Sequence, residues 1–510
     1  MRLVEYGTRS YQVALDKILP VIQKNTKRSY IRVALVLITL HRIYSYFRVP
    51  RQLRHIVSLP FLSMEKSFYY REPPYSRFKR LILPVIKKDN GFYLSKVPFG
   101  WTVHVIDPVA AKQILMKAES SQKSHDFMET MGPNSPFVRL FGKDSVGIDN
   151  GQSWKKNRKI MNPVFHRPVP IETMASVVPT FFSFIEKNSY RVYIGPAMKN
   201  FTLDVLGFTI FGVEFKALKG DPEHWSSNYA LVNKGMSDPL MNVMGSFGFL
   251  VSLFSPKRKS WMDAVTRFNA KLAQMVEQRR KEVDCGLYSS KSDKEKDLLT
   301  LMLEAKQRGE GASSDEELSH NMAGLFLAGH DGIAHTLAFC LYHLAKNKDV
   351  QDKLREHVIS ILGDAPIDIK PTLEQLKSIE YLDLVIKENL RHNAPADSLL
   401  PRIAKEDVIL NGTLVPKGTT LNVDIYAIHH DPRSWESVDK FIPERFAKGG
   451  EYDNHEGLTW LPFSNGSRQC IGLNFSMVEQ RLVLAMLVRK YEIDIPIEST
   501  HREHVVVTET

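Results

Sequence analysis

The chain has little cysteine, with only three in 510 residues, at positions 285, 340 and 470. Three cysteines cannot form the disulfide framework of a secreted protein, and such usage is typical of a reducing, cytosol-facing environment. Cys285 lies in a charged stretch and Cys340 lies inside an apolar helical sequence. We interpret both as bystanders, which leaves Cys470 for any cysteine chemistry.

The N-terminal region lacks a long hydrophobic run. Within residues 30–47 the apolar stretch extends only from Val33 to Leu40, whereas a membrane-spanning helix needs about 20 mostly apolar residues. Arg32, His41 and Arg42 interrupt it, and no small-residue cleavage site marks a signal peptide. We expect an uncleaved, tilted or interfacial anchor. The alternative is an amphipathic helix packed on the core.

Acidic residues are scarce at the same end. Residues 1–60 hold eleven Lys or Arg and two acids, so they carry +9 of the chain's net charge of +11. A basic arm favours an anionic partner, and the interleaved apolar residues favour a membrane surface over nucleic acid. No linker divides the remainder. We therefore predict a basic membrane anchor over residues 1–60, one large domain over residues 61–510, and no nucleic-acid partner.

Cys470 is surrounded by Phe463, Gly466, Arg468 and Gly472 at fixed offsets. Gly466 permits φ > 0 in a tight turn. Arg468 and the N-terminus of a helix predicted to begin after Cys470 favour an ionised sulfur. Gly472 would let that helix approach a flat ligand, and Phe463 is placed to pack beside the sulfur. These features suit a haem-ligating thiolate, and a buried structural cysteine is the alternative.

A long helix is predicted from the cap at Ser314 to about Leu344. Its middle reads Ala328-Gly-His-Asp-Gly-Ile333, and each interior glycine costs about 1 kcal/mol relative to alanine. We expect either close approach of a ligand there or a local opening of the helix.

Pairs of residues at helical spacing occur in two further segments. Trp154 and Arg158 share one helix face and can both reach a carboxylate pair, although a solvated basic helix is the commoner explanation of such spacing. Glu388 and Arg391 can form an i, i+3 ion pair. After Tyr491 the sequence predicts short strands over residues 491–496 and 504–507.

The pattern F-x-x-G-x-R-x-C-x-G at residues 463–472, preceded by E-x-x-R at 388–391 and P-E-R-F at 443–446, resembles the cytochrome P450 family. The resemblance covers roughly residues 90–500 and is to eukaryotic microsomal members, particularly fungal ones. It implies a mainly α-helical haem-thiolate fold with a smaller β region, so that residues 61–510 would form the catalytic domain. It also implies haem b as the cofactor, with Cys470 as the iron ligand.

The resemblance assigns further roles residue by residue. Trp154, Arg158 and Arg402 would bind the haem propionates, although Arg402 can also be read as an ordinary edge-strand arginine. Glu388, Arg391 and Arg445 would form a buried charge network beneath the haem. Asp331 and Gly332 occupy the positions of a catalytic acid and alcohol. Gly332 departs from the family pattern because it has no hydroxyl, and Ile333 follows it.

The implied activity is a monooxygenase that uses O₂ and electrons from NADPH-cytochrome P450 reductase. It would hydroxylate or epoxidise a lipophilic small molecule (a steroid, terpenoid, fatty acid or xenobiotic) on the cytosolic face of the endoplasmic reticulum membrane. Loss of the alcohol at Gly332 would also suit a reductase-independent isomerase or dehydratase that acts on a pre-oxidised substrate. A non-catalytic haem sensor is the third alternative, ranked last because no output domain is recognised.

Overall fold

The structure is a computed structural model of the 510-residue chain. It describes residues 27–70, 72–86, 91–97, 100–117, 121–166, 169–221, 223–238, 240, 250, 253–293, 295–310, 314–365 and 367–502. The chain forms two compact units, Met1–His55 and Ile56–Thr510. In the first unit a helix, α1, spans Lys27–Phe47 and a 3₁₀ turn spans Arg51–Leu53.

The second unit is predominantly helical. The helices before its long central helix are Phe61–Tyr69 (α2), Pro74–Arg77 (α3), Leu83–Ile86 (α4), Pro108–Met116 (α5), Asp126–Met131 (α6), Pro136–Phe141 (α7), Gly151–His166 (α8), Ile171–Lys187 (α9), Ile194–Leu206 (α10), Trp225–Met236 (α11), Pro256–Asp284 (α12) and Leu298–Gln307 (α13). The central helix and those after it are Asp315–Lys346 (α14), Lys348–Leu362 (α15), Leu373–Ser378 (α16), Glu380–His392 (α17), Ile425–His429 (α18) and Leu473–Lys490 (α19). This confirms the predicted fold class.

The central helix α14 begins as the sequence predicts and runs two residues further. The Ser314 hydroxyl accepts a hydrogen bond from the Glu317 backbone N–H at 3.0 Å, which satisfies one of the free donors of the first turn. Apolar residues spaced three and four apart then bury one side of the helix, including Leu318, Met322 and Phe326. They belong to a hydrophobic core shared with α10, α12, α17 and α19, so α14 lies at the centre of the helical packing.

A small sheet lies beside the helices. Its strands are Phe92–Val97 (β1), Gly100–Val105 (β2), Ser121–Lys123 (β3), Arg402–Ala404 (β4) and Thr420–Val423 (β7), while Val408–Leu410 (β5) and Thr413–Val415 (β6) form a separate hairpin. The order in the larger sheet is β1-β2-β7-β4-β3, in which only β2 and β7 run parallel. This arrangement brings residues from positions 121 and 402 onto neighbouring strands.

The strand prediction over residues 491–496 is wrong. This segment has no regular structure, because its backbone is held by a side chain instead of by a neighbouring strand. Gln351 donates to the Ile493 carbonyl at 2.9 Å and accepts from the Ile493 N–H at 2.8 Å. The second predicted strand, over residues 504–507, lies outside the described residues.

Among the described residues, no single helix is both long enough and apolar enough to cross a membrane. The pair Gly151–His166 and Ile171–Lys187, bent by 70°, meets the requirement jointly, by length and composition alone.

Candidate active site

The Cys470 loop has the backbone geometry that its glycine predicts. Gly466 has φ = +69° and starts a 3₁₀ turn over Gly466–Arg468. A Cβ at this position would also collide with the Leu115 carbonyl oxygen, so only glycine fits there. The Cys470 N–H then donates to the Phe463 carbonyl at 2.9 Å, which closes the loop. Gly472 is the N-cap residue of α19, so Cys470 lies at that helix's N-terminus.

The surroundings of the Cys470 sulfur shift the pKa of its thiol in opposite directions. Burial raises the pKa of the thiol, whereas a hydrogen bond from the Gly472 N–H and the positive charges of Arg158 and Lys123 act to lower its pKa. The Gly472 N–H and the two positive charges therefore stabilise the thiolate form of Cys470. Cys340 is buried and has no such support, because burial alone raises the pKa of its thiol. Cys285 and Cys470 are both solvent-accessible, but Cys285 follows the C-terminal end of α12, whereas Cys470 lies at the N-terminus of α19. Of the three cysteines, Cys470 alone has the environment of a metal ligand.

Trp154 and Arg158 reach the cysteine loop itself, which the sequence did not indicate. The guanidinium of Arg468 lies 3.7 Å from the centre of the Trp154 ring. Arg468 also donates to the Asp149 carbonyl at 2.8 Å and to Asn150 Oδ1 at 3.1 Å. Arg158 donates to the Gln469 carbonyl at 3.2 Å. Helix α8 is therefore joined to the cysteine loop at two points.

Strands β3 and β4 place two more basic side chains, Lys123 and Arg402, near the Cys470 loop. Arg402 is buried on β4 and donates to the Ser121 carbonyl at 3.1 Å. Lys123 lies on β3, where its ammonium donates to the Gly147 carbonyl and its backbone N–H donates to Asn150 Oδ1 at 3.2 Å. Sequence reasoning missed Lys123, because a lysine in a polar segment has no pattern that indicates a site. Its role follows only from the pairing of β3 with β4, which places it opposite Arg402.

Four basic side chains, Lys123, Arg158, Arg402 and Arg468, lie close enough to act on one another's charge, and Asp149 is an acid that acts on Arg468. Burial, together with the charges of Arg468, Arg402 and Arg158, lowers the pKa of Lys123 to about 7. Burial lowers the pKa of Arg402 to about 10, and burial with Arg402 and Arg158 lowers that of Arg468 to about 10. In the part of the chain that the structure describes, none of the four forms an ion pair with a carboxylate. Such a cluster suits an anionic ligand, and the two propionates of haem b fit it.

The Glu388 carboxylate is the centre of a buried charge network. Arg391 donates to both of its oxygens, at 2.8 and 3.0 Å, and both side chains are fully buried. Arg445 lies 3.4 Å from Glu388 Oε1 and donates to the Ser437 carbonyl at 2.9 Å. Burial by itself raises the pKa of Glu388, but hydrogen bonds from His392 and Arg391 leave that pKa well below its usual range.

This network connects α17 to the segment that leads towards the cysteine loop. The remaining donors of Arg391 bind the carbonyls of His429 and Val438, each at 2.9 Å. The Ile442 N–H donates to Glu388 at 2.9 Å. One carboxylate and two guanidinium groups thus fix a stretch of chain that has little regular structure of its own.

The middle of α14 differs from expectation in one respect. The helix is continuous through Gly329 and Gly332, so the local opening is not observed. Gly329 is explained by packing, because a Cβ there would collide with Leu206 of α10. A Cβ at Gly332 would meet Pro395 Cβ at 3.7 Å, an ordinary contact. The absence of a side chain at Gly332 is therefore not required by the protein's own packing.

Asp331 has a partner that the sequence could not reveal. Its Oδ1 lies 2.9 Å from Lys199 Nζ, and the two side chains are 24% and 47% exposed. Lys199 comes from α10, which is more than a hundred residues away in sequence. The acid next to Gly332 is therefore charge-paired and connected through Lys199 to solvent.

Comparisons with known proteins agree with this geometry. The sequence model of the family described as "Cytochrome P450" matches residues 89–506. Cytochrome P450 3A7 of Homo sapiens is 27% identical over 399 residues, which is 76% of each chain. Cytochrome P450 3A11 of Mus musculus is 29% identical over 409 residues, and cytochrome P450 3A5 of Homo sapiens is 28% identical over 404 residues, each again 76% of both chains. The chain therefore belongs to the cytochrome P450 family and is a monooxygenase with haem b as its cofactor.

Proposed function

We propose that this enzyme inserts one oxygen atom of O₂ into a lipophilic organic substrate, by hydroxylation or epoxidation. Its electrons would come from NADPH through NADPH-cytochrome P450 reductase at the endoplasmic reticulum membrane. Cys470 would ligate the haem iron. The observation that carries the proposal is the Cys470 loop, in which a thiol at a helix N-terminus lies near the charges of Arg158 and Lys123. Those two belong to a cluster of four basic side chains that form no ion pair with a carboxylate of the described residues.

The haem would supply the oxygen chemistry, while the protein's residues would hold it and set its electronics. Electron donation from a thiolate ligand favours cleavage of the O–O bond. Trp154, Arg158, Arg402 and Arg468 would hold the propionates, and Lys123 joins this set. The pKa of Lys123, about 7, would rise when two carboxylates enter the cluster. Glu388, Arg391 and Arg445 would fix the loops below.

A reductase partner is supported by charge on the surface of α8. Lys155, Lys156 and Lys159 are exposed on the helix whose Arg158 contacts the cysteine loop, and Gln469 in that loop is exposed too. A basic surface beside the thiolate is complementary to an acidic electron donor. The expected result is docking that weakens as salt increases.

Membrane association is supported by α1. Many of its large apolar side chains are more than two-fifths exposed, among them Leu35, Ile38 and Tyr44. Arginine residues flank them, as in helices that lie at a membrane interface. We propose that residues 1–60 hold the enzyme on the cytosolic face, which would also favour substrates dissolved in the bilayer. Steroids, terpenoids, fatty acids and xenobiotics all meet that requirement.

The test is reconstitution of the full chain with haem, NADPH-cytochrome P450 reductase and lipid vesicles. A panel of lipophilic substrates is offered, and ¹⁸O from ¹⁸O₂ is sought in the product by mass spectrometry. We expect a labelled, NADPH-dependent product from the unmodified chain and from Cys285→Ser, and none from Cys470→Ser. The ferrous–CO spectrum gives an independent check, since Cys470→Ser loses the red-shifted Soret band of thiolate ligation.

Product formation without reductase from a pre-oxidised substrate would overturn the proposal in favour of an isomerase or dehydratase. The missing hydroxyl at Gly332 is the observation that keeps this second candidate in the experiment. A thiolate-type spectrum that survives in Cys470→Ser would instead overturn the ligand assignment.

A further inference from the structure

One side of the central helix α14 is only partly buried through its middle. Ala328 is exposed, and Gly332, His335 and Phe339 are half-buried. These residues follow the spacing i, i+4, i+7, i+11, so they form one continuous stripe. Between them Ile333 and Ala334 are buried. Helix α10 packs beside the stripe: its Leu206 lies against Gly329, its Thr202 donates to the His330 carbonyl at 3.1 Å, and its Lys199 reaches Asp331 at the edge of the stripe.

His335 is the titratable side chain in the middle of this stripe. It lies one turn beyond Asp331, at i+4, so the two side chains share a helix face. Its ring packs on Phe339, with 4.6 Å between the ring centres. Among the residues that the structure describes, its nitrogens make no hydrogen bond, and they are therefore available to water or to a bound molecule.

Two charged groups act on His335. Burial lowers the pKa of the imidazole, the Asp331 carboxylate raises it, and Lys199 lowers it. Asp331 and Lys199 are themselves 2.9 Å apart. The sum favours a neutral ring at pH 7. A neutral imidazole can give a proton from one nitrogen and take a proton at the other.

The reaction needs such a group. Oxidation of a substrate RH consumes O₂, two electrons and two protons, and yields ROH and H₂O. Gly332 has no hydroxyl to hold or pass a proton, and the stripe has no hydroxyl at Ala328 or Phe339 either. The Thr336 hydroxyl, one turn beyond Gly332, is engaged with the Gly332 carbonyl at 2.9 Å.

We infer that His335 is the proton-relaying residue of this enzyme, one turn from the Lys199–Asp331 pair on the same face of α14. In each transfer one ring nitrogen releases a proton towards oxygen and the other takes one from a water held by Asp331, so the ring ends neutral. Lys199, which is 47% exposed, restores that water's proton from solvent. The inference rests on the proposed monooxygenase function. It adds a proton-relaying residue, a role that Gly332 cannot fill because it has no hydroxyl.

The experiment uses three variants of the full chain loaded with haem. His335→Gln keeps hydrogen bonding without a transferable ring proton, and His335→Phe removes both. His357→Gln is the control, since His357 is an exposed histidine on α15. Two readouts are taken for each variant: product and H₂O₂ formed per NADPH, and the infrared C–O stretching frequency of the ferrous–CO form, which reports hydrogen-bond donors near the bound gas.

We expect product per NADPH to fall about ten-fold in both His335 variants, with H₂O₂ rising in proportion. This is less than the usual effect of a general acid, because water partly replaces the ring. The C–O frequency is expected to rise in His335→Phe and to stay unchanged in His357→Gln. Both changes together support the relay.

Normal coupling in the His335 variants overturns the relay, whatever the infrared band does. Lost coupling with an unchanged C–O band also overturns it, since the effect would then come from helix packing. If the unmodified chain makes no NADPH-dependent product, the proposed function fails instead, and the two failures are distinguishable. The thiolate-type CO spectrum confirms in every case that a variant is folded and loaded.

Discussion

The guanidinium of Arg468 stacks on the ring of Trp154, 3.7 Å from its centre. This contact joins helix α8 to the cysteine loop, two segments more than three hundred residues apart in sequence. The same guanidinium donates a hydrogen bond to the Asp149 carbonyl at 2.8 Å. Helix, loop and cation cluster are thus fixed to one another.

The first prediction concerns this stacking. Replacing Trp154 with Ala removes a cation–π contact worth about 0.5–2 kcal/mol, so we expect haem to dissociate several-fold faster. Transfer of haem to excess apomyoglobin measures the rate. Lys155→Ala, on the exposed side of the same turn, is the matched control. Equal rates in the two variants would show that the Trp154 contact does not contribute to haem retention.

Much of the fold followed from the sequence because local signals and packing agreed. The helix from Ser314, the helix after Cys470 and the left-handed Gly466 each follow from a cap, an apolar period or a turn residue. The strand predicted over residues 491–496 is wrong, because the backbone of that segment is held by Gln351, a distant side chain.

The site was only partly predictable for a related reason. Residues in a motif, such as Arg468 and Cys470, can be recognised from their spacing. Lys123 and Lys199 cannot, since each matters only through what the fold places beside it. The pairing of β3 with β4 and the packing of α10 on α14 are long-range, and no local pattern encodes them.

The second prediction is that Glu388→Ala or Arg391→Ala destabilises the fold by about 3–5 kcal/mol, because a buried charge is left unpaired. Chemical unfolding followed by tryptophan fluorescence measures the loss. Lys281→Ala, which breaks a pair that is 73% and 54% exposed, is the control and is expected to change little. Unfolding midpoints equal to the control's would contradict the network.

The same carboxylate also gives a pH dependence. The pKa of Glu388 is lower in the folded protein than its ordinary value of 4.5. Its contribution is therefore fully present above pH 4.5 and is lost as the pH falls below that value. Glu388→Gln is expected to abolish this part of the acid-dependent loss of stability.

The third prediction concerns Asp424, whose titration has the opposite sign. This buried residue accepts from the Ala427 N–H at 2.9 Å and from the Tyr93 hydroxyl at 2.8 Å. Burial raises the pKa of its carboxyl to about 6. The folded state then binds the extra proton between the unfolded pKa of 3.8 and pH 6, so stability falls as pH rises through that window.

Asp424→Asn keeps an acceptor for Ala427 and removes the buried charge. We expect the variant to gain stability relative to the unmodified chain as pH rises from 4 to 6, by about 1–3 kcal/mol at the plateau above that. Asp107→Asn is the matched control, because Asp107 caps α5 through the Ala110 N–H at 2.7 Å but is only partly buried. A stability difference independent of pH would contradict the assignment.

The fourth prediction tests the anchor. Deleting residues 1–50 is expected to release much of the enzyme from membranes, measured by sedimentation with and without salt and detergent. Replacing Leu35 and Ile38, which are 58% and 57% exposed, with Ser keeps the +9 charge and isolates the apolar contribution. Full-length protein that is wholly soluble without detergent would refute the anchor.

The fifth prediction concerns Gly332. Without a hydroxyl there, we expect water, or a hydroxyl or carbonyl of the substrate itself, to complete the proton path that His335 and Asp331 serve. Substrates with no polar group near the reacting carbon are then expected to release more H₂O₂ per NADPH than matched substrates that have one.

Gly332→Thr is expected to reduce that release. The structure allows the change, because a Cβ at position 332 would meet Pro395 Cβ at 3.7 Å without collision. Gly332→Val has nearly the same shape but no hydroxyl, so it separates the effect of proton donation from that of bulk. Product and H₂O₂ per NADPH are measured for both substrates in all three proteins. If Gly332→Thr and Gly332→Val reduce H₂O₂ release equally, the effect comes from the added bulk and not from proton donation. Equal, tight coupling for both substrates in the unmodified enzyme would rule out substrate assistance and leave His335, Asp331 and water as the whole path.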